Sequence, residues 1–270
     1  MAWPKRGPRY FNVFGYFLHY KMRYIREGIS SMDKSEKLYI VIPAYNEEET
    51  IPDVVNDWYP IVEKIGKESR LVIIDDGSKD HTHDILTKLS ESRKQMVVLH
   101  KKNGGHGDTV LYGYQYAIKQ HASYIFQTDS DGQTRSSEFA QFWKLRHQYH
   151  MVIGHRNKRQ DGISRVFVTK TLQVVCFLCF HVWLKDANTP FRLMEVKSLK
   201  TIMKYIPEGY NLPNVAISAL YTKKGYKVKY IPITFLPRQG GVNSINLKKI
   251  AKIGEKAVGD FIKIRKGLRK

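Results

Sequence analysis

Cysteine is scarce in this chain, where Cys176 and Cys179 are the only two and lie in one apolar stretch. Without a second pair they supply neither a disulfide framework nor a four-ligand zinc site. The sequence therefore predicts a reducing, cytosolic setting and a fold that depends on its hydrophobic core. With 270 residues, 42% of them hydrophobic, we expect one large α/β domain with a terminal appendage.

A long apolar run is also missing. No stretch reaches the roughly 18 uninterrupted apolar residues of a transmembrane helix, so a conventional span is not expected. The nearest approach, residues 166–184, is broken by Lys170, Gln173 and His181, and it begins too far into the chain for a signal peptide. We interpret it as a helix that packs on the domain or lies at a lipid surface.

Acidic residues are few compared with basic ones. The chain has 25 Asp and Glu residues and 45 Lys and Arg residues, which gives a formal net charge of +20. This balance favours an acidic partner, which could be nucleic acid, an anionic membrane surface or a phosphate-bearing substrate. Nucleic acid is the least favoured of the three, since aromatic and basic residues cluster at the termini and no recognition motif is present.

Strands and helices are predicted to alternate in the first half of the chain. Short β-rich runs begin near residues 37, 70, 96 and 122, each is followed by a polar loop, and a helical pattern covers 109–120 after the glycine-rich loop. This alternation predicts a mostly parallel central sheet with helices on both faces. Each strand then delivers its loop to one edge of the sheet, where ligands bind in open α/β folds.

Two carboxylates, Asp129 and Asp131, follow the fourth predicted strand with no cation next to them in the sequence. Together with Gln133 they offer three hard oxygen ligands, which suit Mg²⁺ or Mn²⁺ bridging phosphates better than zinc. The alternative interpretation is a solvated turn, since turns favour Asp and Gly in any case.

Four motifs at their observed separations carry a resemblance to family 2 glycosyltransferases of the GT-A fold. They are I-V-I-P-A-Y-N-E-E, I-I-D-D-G-S-K-D-H-T, N-G-G-H-G-D and D-S-D-G-Q, within roughly residues 38–134. The resemblance implies a nucleotide-sugar-binding fold, a UDP- or GDP-sugar donor and a divalent metal, Mg²⁺ or Mn²⁺. The implied metal ligands are Asp129, Asp131 and Gln133. The implied donor site is lined by Pro43, Ala44, Tyr45, Glu47, Asp75, Asp76, Asp129, Ser130 and Asp131.

The second half of the chain resembles the polyprenyl-phosphate branch of that family, the dolichyl-phosphate mannose synthase type. The motifs are a G-x-R, a Phe-Arg segment and F-x-x-R-x-x-G-x-S, the last with its serine one residue late. The resemblance implies that the acceptor phosphate is bound by Arg156, Arg165, Arg192, Arg238 and Ser244. It also implies that the catalytic residues are Asp131, Arg156 and Arg238. Arginines suit phosphate because they stay charged and bind its oxygens bidentately, although a single arginine is more often a surface charge.

A pair of acids is absent from the segment at 207–214. Members of the family that glycosylate hydroxyls usually carry Glu-Asp near this position, whereas Glu208 is the only acid here. A hydroxyl acceptor needs a general base within hydrogen-bond reach, while a lipid phosphate is already an anion. This departure from the pattern favours a phosphate acceptor.

The ends of the chain are rich in basic residues mixed with apolar ones. Residues 1–36 are predicted to be a membrane-interfacial segment or a tail docked on the domain or on a partner. Residues 245–270 predict a basic amphipathic helix that lies at an anionic membrane or packs on its own sheet. Its apolar stripe consists of Ile250, Ile253, Ala257, Phe261, Ile264 and Leu268. The catalytic domain is expected between them, at 37–244.

The sequence as a whole predicts a metal-dependent inverting glycosyltransferase that moves a sugar from a nucleotide-diphosphate sugar to undecaprenyl or dolichyl phosphate. It is expected to be peripheral on the cytoplasmic face of a membrane. Two alternatives stay open, a family 2 enzyme acting on a saccharide hydroxyl and a catalytically silent nucleotide-sugar-binding scaffold. A homo-oligomer also stays open, and the sequence specifies neither the sugar, the base nor the lipid length.

Overall fold

The computed structural model describes residues 36–156, 173–236 and 259–268. Within them, one seven-stranded sheet has the order β3-β2-β1-β4-β6-β5-β7. Its strands are β1 (Leu38–Ala44), β2 (Arg70–Asp75), β3 (Met96–His100), β4 (Tyr124–Gln127), β5 (Met151–Arg156), β6 (Arg192–Glu195) and β7 (Val228–Ile233). The predicted α/β class with a mostly parallel central sheet is confirmed.

Helices cover both faces of this sheet, as the sequence predicts. They are α1 (Ile51–Ile65), α2 (Thr82–Glu91), α3 (His106–Lys119), α4 (Phe139–Lys144), α5 (residues 173–180), α6 (Val196–Met203), α7 (Pro213–Lys223) and α8 (residues 259–267). One hydrophobic core contains residues of α1 and α4, and the other contains residues of α3 and α5 through α8. Both faces of the central strands are therefore buried.

The central strand β1 explains why four loops share one edge. All seven of its residues are buried, which is the pattern of a strand covered on both faces of a parallel sheet. It pairs in parallel with β2 and β4, and β2 pairs in parallel with β3. The loops after these four strands consequently leave the sheet at its carboxyl edge.

Strand β6 is one of the elements that the sequence analysis does not predict. It lies antiparallel between β4 and β5, whereas the same segment was interpreted only as a Phe-Arg phosphate-binding motif. The strand has four residues, R-L-M-E, with charges at its two ends. So short a segment carries no clear alternation of apolar and polar side chains, and only the sheet around it makes it a strand.

Helix α3 begins at His106, three residues earlier than predicted. Gly105 precedes it with φ of 87°, a conformation that glycine adopts without steric cost. A Cβ on Gly107 would lie 2.5 Å from the carbonyl oxygens of both Tyr210 and Asn211. The glycines thus turn the chain into the helix and let its first turn contact the 210–211 loop.

The predicted C-terminal amphipathic helix is described over residues 259–268, and there its stripe faces the protein. Phe261 and Ile264 are buried, and the Phe261 ring centroid lies 5.4 Å from that of Phe180 on α5. For this part of the stripe, the structure favours packing on the domain, which is one of the two alternatives that the sequence leaves open. Ile250, Ile253 and Ala257 lie outside the described residues, as does nearly all of the N-terminal segment.

Helix α5 lies in the described part of the apolar stretch at 166–184, and it packs on the domain. Its residues Cys176, Cys179 and Phe180 are buried in the core, and both cysteines are free thiols. Burial raises the pKa of the Cys176 thiol to about 12. Across the described ranges, no helix combines the length and the apolarity needed to cross a membrane.

Replacing Phe261 with alanine tests whether α8 belongs to the core. The change removes a fully buried ring, so the free energy of unfolding should fall by about 3 kcal/mol or more. Ile262→Ala is the matched control on the next residue, whose side chain is 44% exposed, and it should change the unfolding free energy far less. Urea unfolding followed by circular dichroism measures both. Equal, small effects of the two changes would show that α8 does not pack on the domain.

Candidate active site

The loops after β1 and β2 are joined by hydrogen bonds that run in both directions. The backbone N–H of Asn46 donates to Ser78 Oγ (3.0 Å), and that of Glu47 donates to Thr82 Oγ1 (2.8 Å). In return, the N–H of Lys79 donates to Asn46 Oδ1 (2.8 Å). Asn46 has φ of 53°, a region that asparagine adopts more readily than most residues. The two loops therefore form one wall of the carboxyl edge.

Asp76 connects this wall to the glycine-rich loop after β3. Its buried carboxylate accepts hydrogen bonds from Lys101 Nζ (2.7 Å) and from the N–H groups of Gly104 (2.9 Å) and Gly105 (2.8 Å). Its own N–H donates to the carbonyl of Ala44 at the end of β1 (2.9 Å). Burial raises the pKa of Asp76, but the hydrogen bonds from Lys101 and the glycine loop outweigh burial and leave this pKa lowered. Asp76 is thus an ionised anchor for three loops.

Lys101 supplies the positive charge at this junction. Its Nζ lies 2.7 Å from Asp76 Oδ1 and 2.8 Å from Asp108 Oδ2. Burial lowers the pKa of Lys101, but its hydrogen bonds to Asp108 and Asp76 outweigh burial and leave the pKa raised. Lys101 and Asp108 are not among the site residues that the sequence predicts. The position of Lys101 could have indicated its role, because a lysine directly after a strand of this sheet lies at the same edge as the acids.

His106 contacts one of the predicted metal-binding carboxylates. Its Nε2 lies 3.0 Å from Asp129 Oδ1. The charge and hydrogen bond of Asp129, together with the charges of Asp131 and Asp76, raise the pKa of His106, whose side chain is 51% exposed. His106 also lies in the first turn of α3, where the positive end of the helix dipole opposes protonation of the imidazole. The sequence motif contained this histidine, yet only the fold shows that it contacts Asp129.

The loop after β4 is held in shape by contacts at its base and tip. The hydroxyl oxygens of Thr128 and Thr134 lie 2.7 Å apart and close the base, and the N–H of Gln133 donates to Asp131 Oδ1 (3.1 Å). The Gln133 Nε2 donates to the carbonyl of Leu236 (2.9 Å), and the Leu236 N–H donates to the Gln133 carbonyl (2.8 Å). The side-chain nitrogen of Gln133 therefore fastens the segment after β7, while its metal-ligand role stays a prediction.

Thr50 completes the connection between the first and fourth loops. Its Oγ1 lies 3.0 Å from Glu47 Oε2 and 3.0 Å from the carbonyl oxygen of Ser130. The structure thus brings most predicted donor-site residues to one edge, namely Tyr45, Glu47, Asp75, Asp76, Asp129, Ser130 and Asp131. Pro43 and Ala44 are buried at the end of β1 beneath these loops, whereas the Tyr45 side chain is 41% exposed.

Arg192 requires a correction, because it does not face this edge as a phosphate ligand. It is fully buried. Its Nε and Nη2 donate to the carbonyl of Thr189, Nη2 also to that of Ala187, and Nη1 to that of Asn214. When all three nitrogens of a guanidinium already donate to backbone carbonyls, no pair of N–H groups is available to bind a phosphate. Its position is structural, since it joins β6 to α7.

The other predicted acceptor residues are mostly outside the described ranges. Arg156 ends β5, where its backbone pairs with Ile233 of β7. Arg165, Arg238 and Ser244 lie outside the described residues. Their roles stay predictions.

Sheet order and loop geometry together define an α/β protein with a candidate ligand site at the carboxyl edge of β1 to β4. The donor atoms on the loop after β4 are carboxylate oxygens, which fit Mg²⁺ or Mn²⁺. The family model described as "Glycosyl transferase family 2" matches residues 39–203, which is more than half of the chain and includes all four loops. The chain belongs to this family, as its motifs predicted.

Two curated relatives are named for transfer to lipid phosphates. The undecaprenyl-phosphate 4-deoxy-4-formamido-L-arabinose transferase of Pectobacterium atrosepticum is 30% identical over 147 residues, which are 53% of this chain and 44% of that protein. The UDP-N-acetylglucosamine–dolichyl-phosphate N-acetylglucosaminyltransferase of Methanococcus voltae is 26% identical over 189 residues, which are 63% of this chain and 73% of that protein. The chain thus spans a little under half the length of the first relative.

Solved structures share the fold at low sequence identity. Glucosyl-3-phosphoglycerate synthase from Mycobacterium tuberculosis, in complex with Mn²⁺ and UDP-glucose, has a TM-score of 0.62 at 14% identity over 89% of this chain and 82% of that chain. S. aureus TarS 1–349 in complex with UDP-GlcNAc has a TM-score of 0.56 at 16% identity over 83% of this chain and 66% of that chain. At these identities the likeness establishes the fold alone.

Replacing Arg192 with leucine tests its structural position. Three buried carbonyl groups lose their donor, so the free energy of unfolding should fall by about 3 kcal/mol. Arg70→Leu is the control, because Arg70 also donates to two backbone carbonyls but lies nearer the surface, and it should cost much less. Thermal and urea unfolding measure both changes. A stable Arg192→Leu protein that has lost only its affinity for a phosphate acceptor would restore the original prediction.

Proposed function

We propose that this protein is a glycosyltransferase that moves a sugar from a nucleotide-diphosphate sugar to a polyprenyl phosphate. The observation that carries the proposal is the convergence of four interlocked loops around Asp129 and Asp131 in a chain of glycosyl transferase family 2. The acceptor class is supported by the two curated relatives, whose names specify undecaprenyl and dolichyl phosphate.

We assign the nucleoside to the wall made by the loops after β1 and β2. Tyr45 offers the exposed aromatic face on which a base can stack, and Glu47 lies beside it. Asp75 and Asp76 line this site chiefly by holding its loops, because their carboxylates already accept hydrogen bonds from neighbouring groups. The diphosphate lies towards the start of α3, where N–H groups and the helix dipole favour negative charge.

A divalent cation, Mg²⁺ or Mn²⁺, would be held by Asp129 and Asp131. When bound, it neutralises the charge that develops on the departing nucleoside diphosphate. His106 Nε2 lies 3.0 Å from Asp129 Oδ1 and orients that carboxylate. The Mycobacterium tuberculosis synthase of similar fold contains Mn²⁺ together with UDP-glucose, which supports the assignment.

Transfer is proposed to proceed by a single in-line displacement with inversion. An oxygen of the acceptor phosphate forms a bond to the anomeric carbon, the bond from that carbon to the diphosphate breaks, and the electron pair leaves with the diphosphate. The acceptor is already an anion at neutral pH, so no side chain has to remove a proton. This agrees with the 207–214 segment, where the single acid, Glu208, is exposed. Arg156 and Arg238 are the proposed partners of the acceptor phosphate.

One exposed apolar surface is a candidate for membrane contact. We call it the α5 patch, and it consists of Val174, Phe177, Leu178 and Trp183, which are 47%, 49%, 63% and 64% exposed. The rings of Phe177 and Trp183 lie 6.3 Å apart, and Gln173 Nε2 donates to the Leu184 carbonyl (2.8 Å), which fixes the Trp183 segment against α5. Grouped apolar side chains on a surface mark an interaction site.

We propose that the α5 patch contacts the membrane interface, at the cytoplasmic face. Tryptophan favours the head-group region, and the net charge of +20 attracts anionic lipids. Exposed Lys185 lies next to the patch in the chain. We propose α5 for this contact and not the described part of α8, because Phe261 and Ile264 are buried.

A transfer assay tests the proposed function. Radiolabelled UDP- and GDP-sugars are incubated with the protein, Mn²⁺ and liposomes that contain a polyprenyl phosphate, and the mixture is extracted with organic solvent. Label in the organic phase is the expected result. In a parallel incubation with a saccharide acceptor, label in that saccharide and none in the organic phase would indicate the hydroxyl-acceptor alternative. Nucleotide-sugar binding without any transfer would indicate a silent scaffold.

Asp131→Asn tests the metal assignment. Losing a ligand to the metal should reduce transfer by about 100-fold or more, because the metal's contribution is several kcal/mol. Circular dichroism should show an unchanged fold. Asp84→Asn, at a side chain that is 81% exposed on α2, is the control and should keep normal activity. Full activity of Asp131→Asn, or undiminished wild-type activity in excess chelator, would contradict the assignment.

Serine substitutions in the α5 patch test the membrane assignment. Leu178→Ser and Trp183→Ser should each weaken co-sedimentation with liposomes, because they remove apolar area from the interface. For the wild-type protein, binding should rise with anionic lipid content and weaken without vanishing as salt is added, because salt screens only the charged part. Tyr112→Ser, at another exposed aromatic residue, on α3, should bind normally. Patch variants that bind like the wild type would contradict the assignment.

A further inference from the structure

Two histidines meet a buried carboxylate at the far side of the β2 loop. Asp75 is fully buried at the end of β2, His83 lies in the first turn of α2, and His100 ends β3. The Asp75 Oδ2 is 2.8 Å from His100 Nδ1 and 3.2 Å from His83 Nδ1. One ligand atom from each of the three residues lies within 4.8 Å of the other two. Three separate elements thus bring their donor atoms to one point.

The carboxylate in this cluster is oriented in advance. Asp75 Oδ1 accepts the N–H of Ser78 (3.0 Å), so its other oxygen faces the two imidazoles. The main chain is fixed as well, because the Asp75 carbonyl accepts the N–H of Lys101 (3.1 Å). Such outer contacts are what hold a metal ligand in a productive orientation.

Of the two histidines, only His100 has a hydrogen-bond partner for its Nδ1 atom within the described residues. His100 Nδ1 forms a hydrogen bond with Asp75. His83 Nδ1 is buried and makes no hydrogen bond within the described residues, although it lies 3.2 Å from the same oxygen. A buried polar nitrogen without a partner is uncommon and calls for an explanation such as an ion. A cation between the three donor atoms would use the lone pair of His83.

The donor types select the class of cation. One carboxylate and two imidazoles are ligands of first-row transition metals such as Zn²⁺ and Co²⁺, whereas Mg²⁺ prefers oxygen ligands throughout. The His83 and His100 side chains are 43% and 54% exposed, so water can fill the remaining positions. We propose that Asp75, His83 and His100 form a transition-metal site, separate from the all-oxygen pair Asp129 and Asp131.

An occupied site would brace three elements beside the donor wall. It would join β2, α2 and β3 at the residue next to Asp76, whose carboxylate anchors the glycine loop. Binding here does not depend on sugar transfer. The site can therefore be tested even if the proposed function fails.

Cobalt provides a spectroscopic test on the full-length, untagged chain. After treatment with EDTA and its removal, the protein is titrated with Co²⁺ while the visible d–d absorption is recorded, and Zn²⁺ is then added. The expected result is one equivalent of bound Co²⁺ that Zn²⁺ displaces. His83→Gln and His100→Gln should each weaken Co²⁺ binding by about tenfold or more, since even loss of an outer contact costs at least this much.

Two control variants separate this site from its surroundings. His81→Gln alters a neighbouring histidine that is 81% exposed, and Asp131→Asn alters the proposed donor metal site; both should keep the wild-type cobalt spectrum. Loss of the spectrum in Asp131→Asn alone, or a spectrum unchanged by both His83→Gln and His100→Gln, would overturn the proposal.

X-ray absorption of the wild-type cobalt protein makes the test independent of how the variants fold. Two imidazole ligands per cobalt are expected. A shell of oxygen ligands alone, or no binding of Co²⁺, would overturn the proposal.

Discussion

The buried carboxylate of Asp76 accepts three hydrogen bonds where the loops after β1, β2 and β3 meet. A buried charge is tolerated only when it is paired and hydrogen-bonded, so Lys101 and the N–H groups of Gly104 and Gly105 must stay in place. Their positions fix the start of α3, and with it His106 beside Asp129. The geometry of the whole carboxyl edge therefore depends on one compensated charge.

Much of the fold follows from the sequence because its central strands are unambiguous. Each of β1 to β4 is an apolar run that ends in a polar loop, and this alternation requires a parallel sheet with its loops on one edge. Strand β6 is different, since four residues with charged ends carry no periodic signal. The sequence also does not show the early start of α3. Glycines normally indicate a loop, whereas here they permit a close contact of the first helical turn with the 210–211 loop.

The candidate site was predictable where position alone determines it. Asp75, Asp76, Asp129 and Asp131 directly follow or end strands, so the sheet brings them together whatever the details. The partners of these acids depend on tertiary contacts, so Lys101, and His106 within its motif, were not selected. Besides these partners, the burial of individual side chains could not be predicted from the sequence. The sequence does not reveal that Arg192 faces the interior, and for the stripe of α8 it leaves packing on the domain and membrane contact both open.

The central claim is that four loops act as one binding site for a nucleoside diphosphate and a divalent cation. Hydrogen–deuterium exchange, followed by mass spectrometry with and without UDP or GDP and Mn²⁺, tests it directly. The account predicts that exchange slows together in residues 44–50, 76–82, 101–108 and 128–134, while α6 is unaffected. Protection confined to a single loop, or located away from this edge, would contradict it.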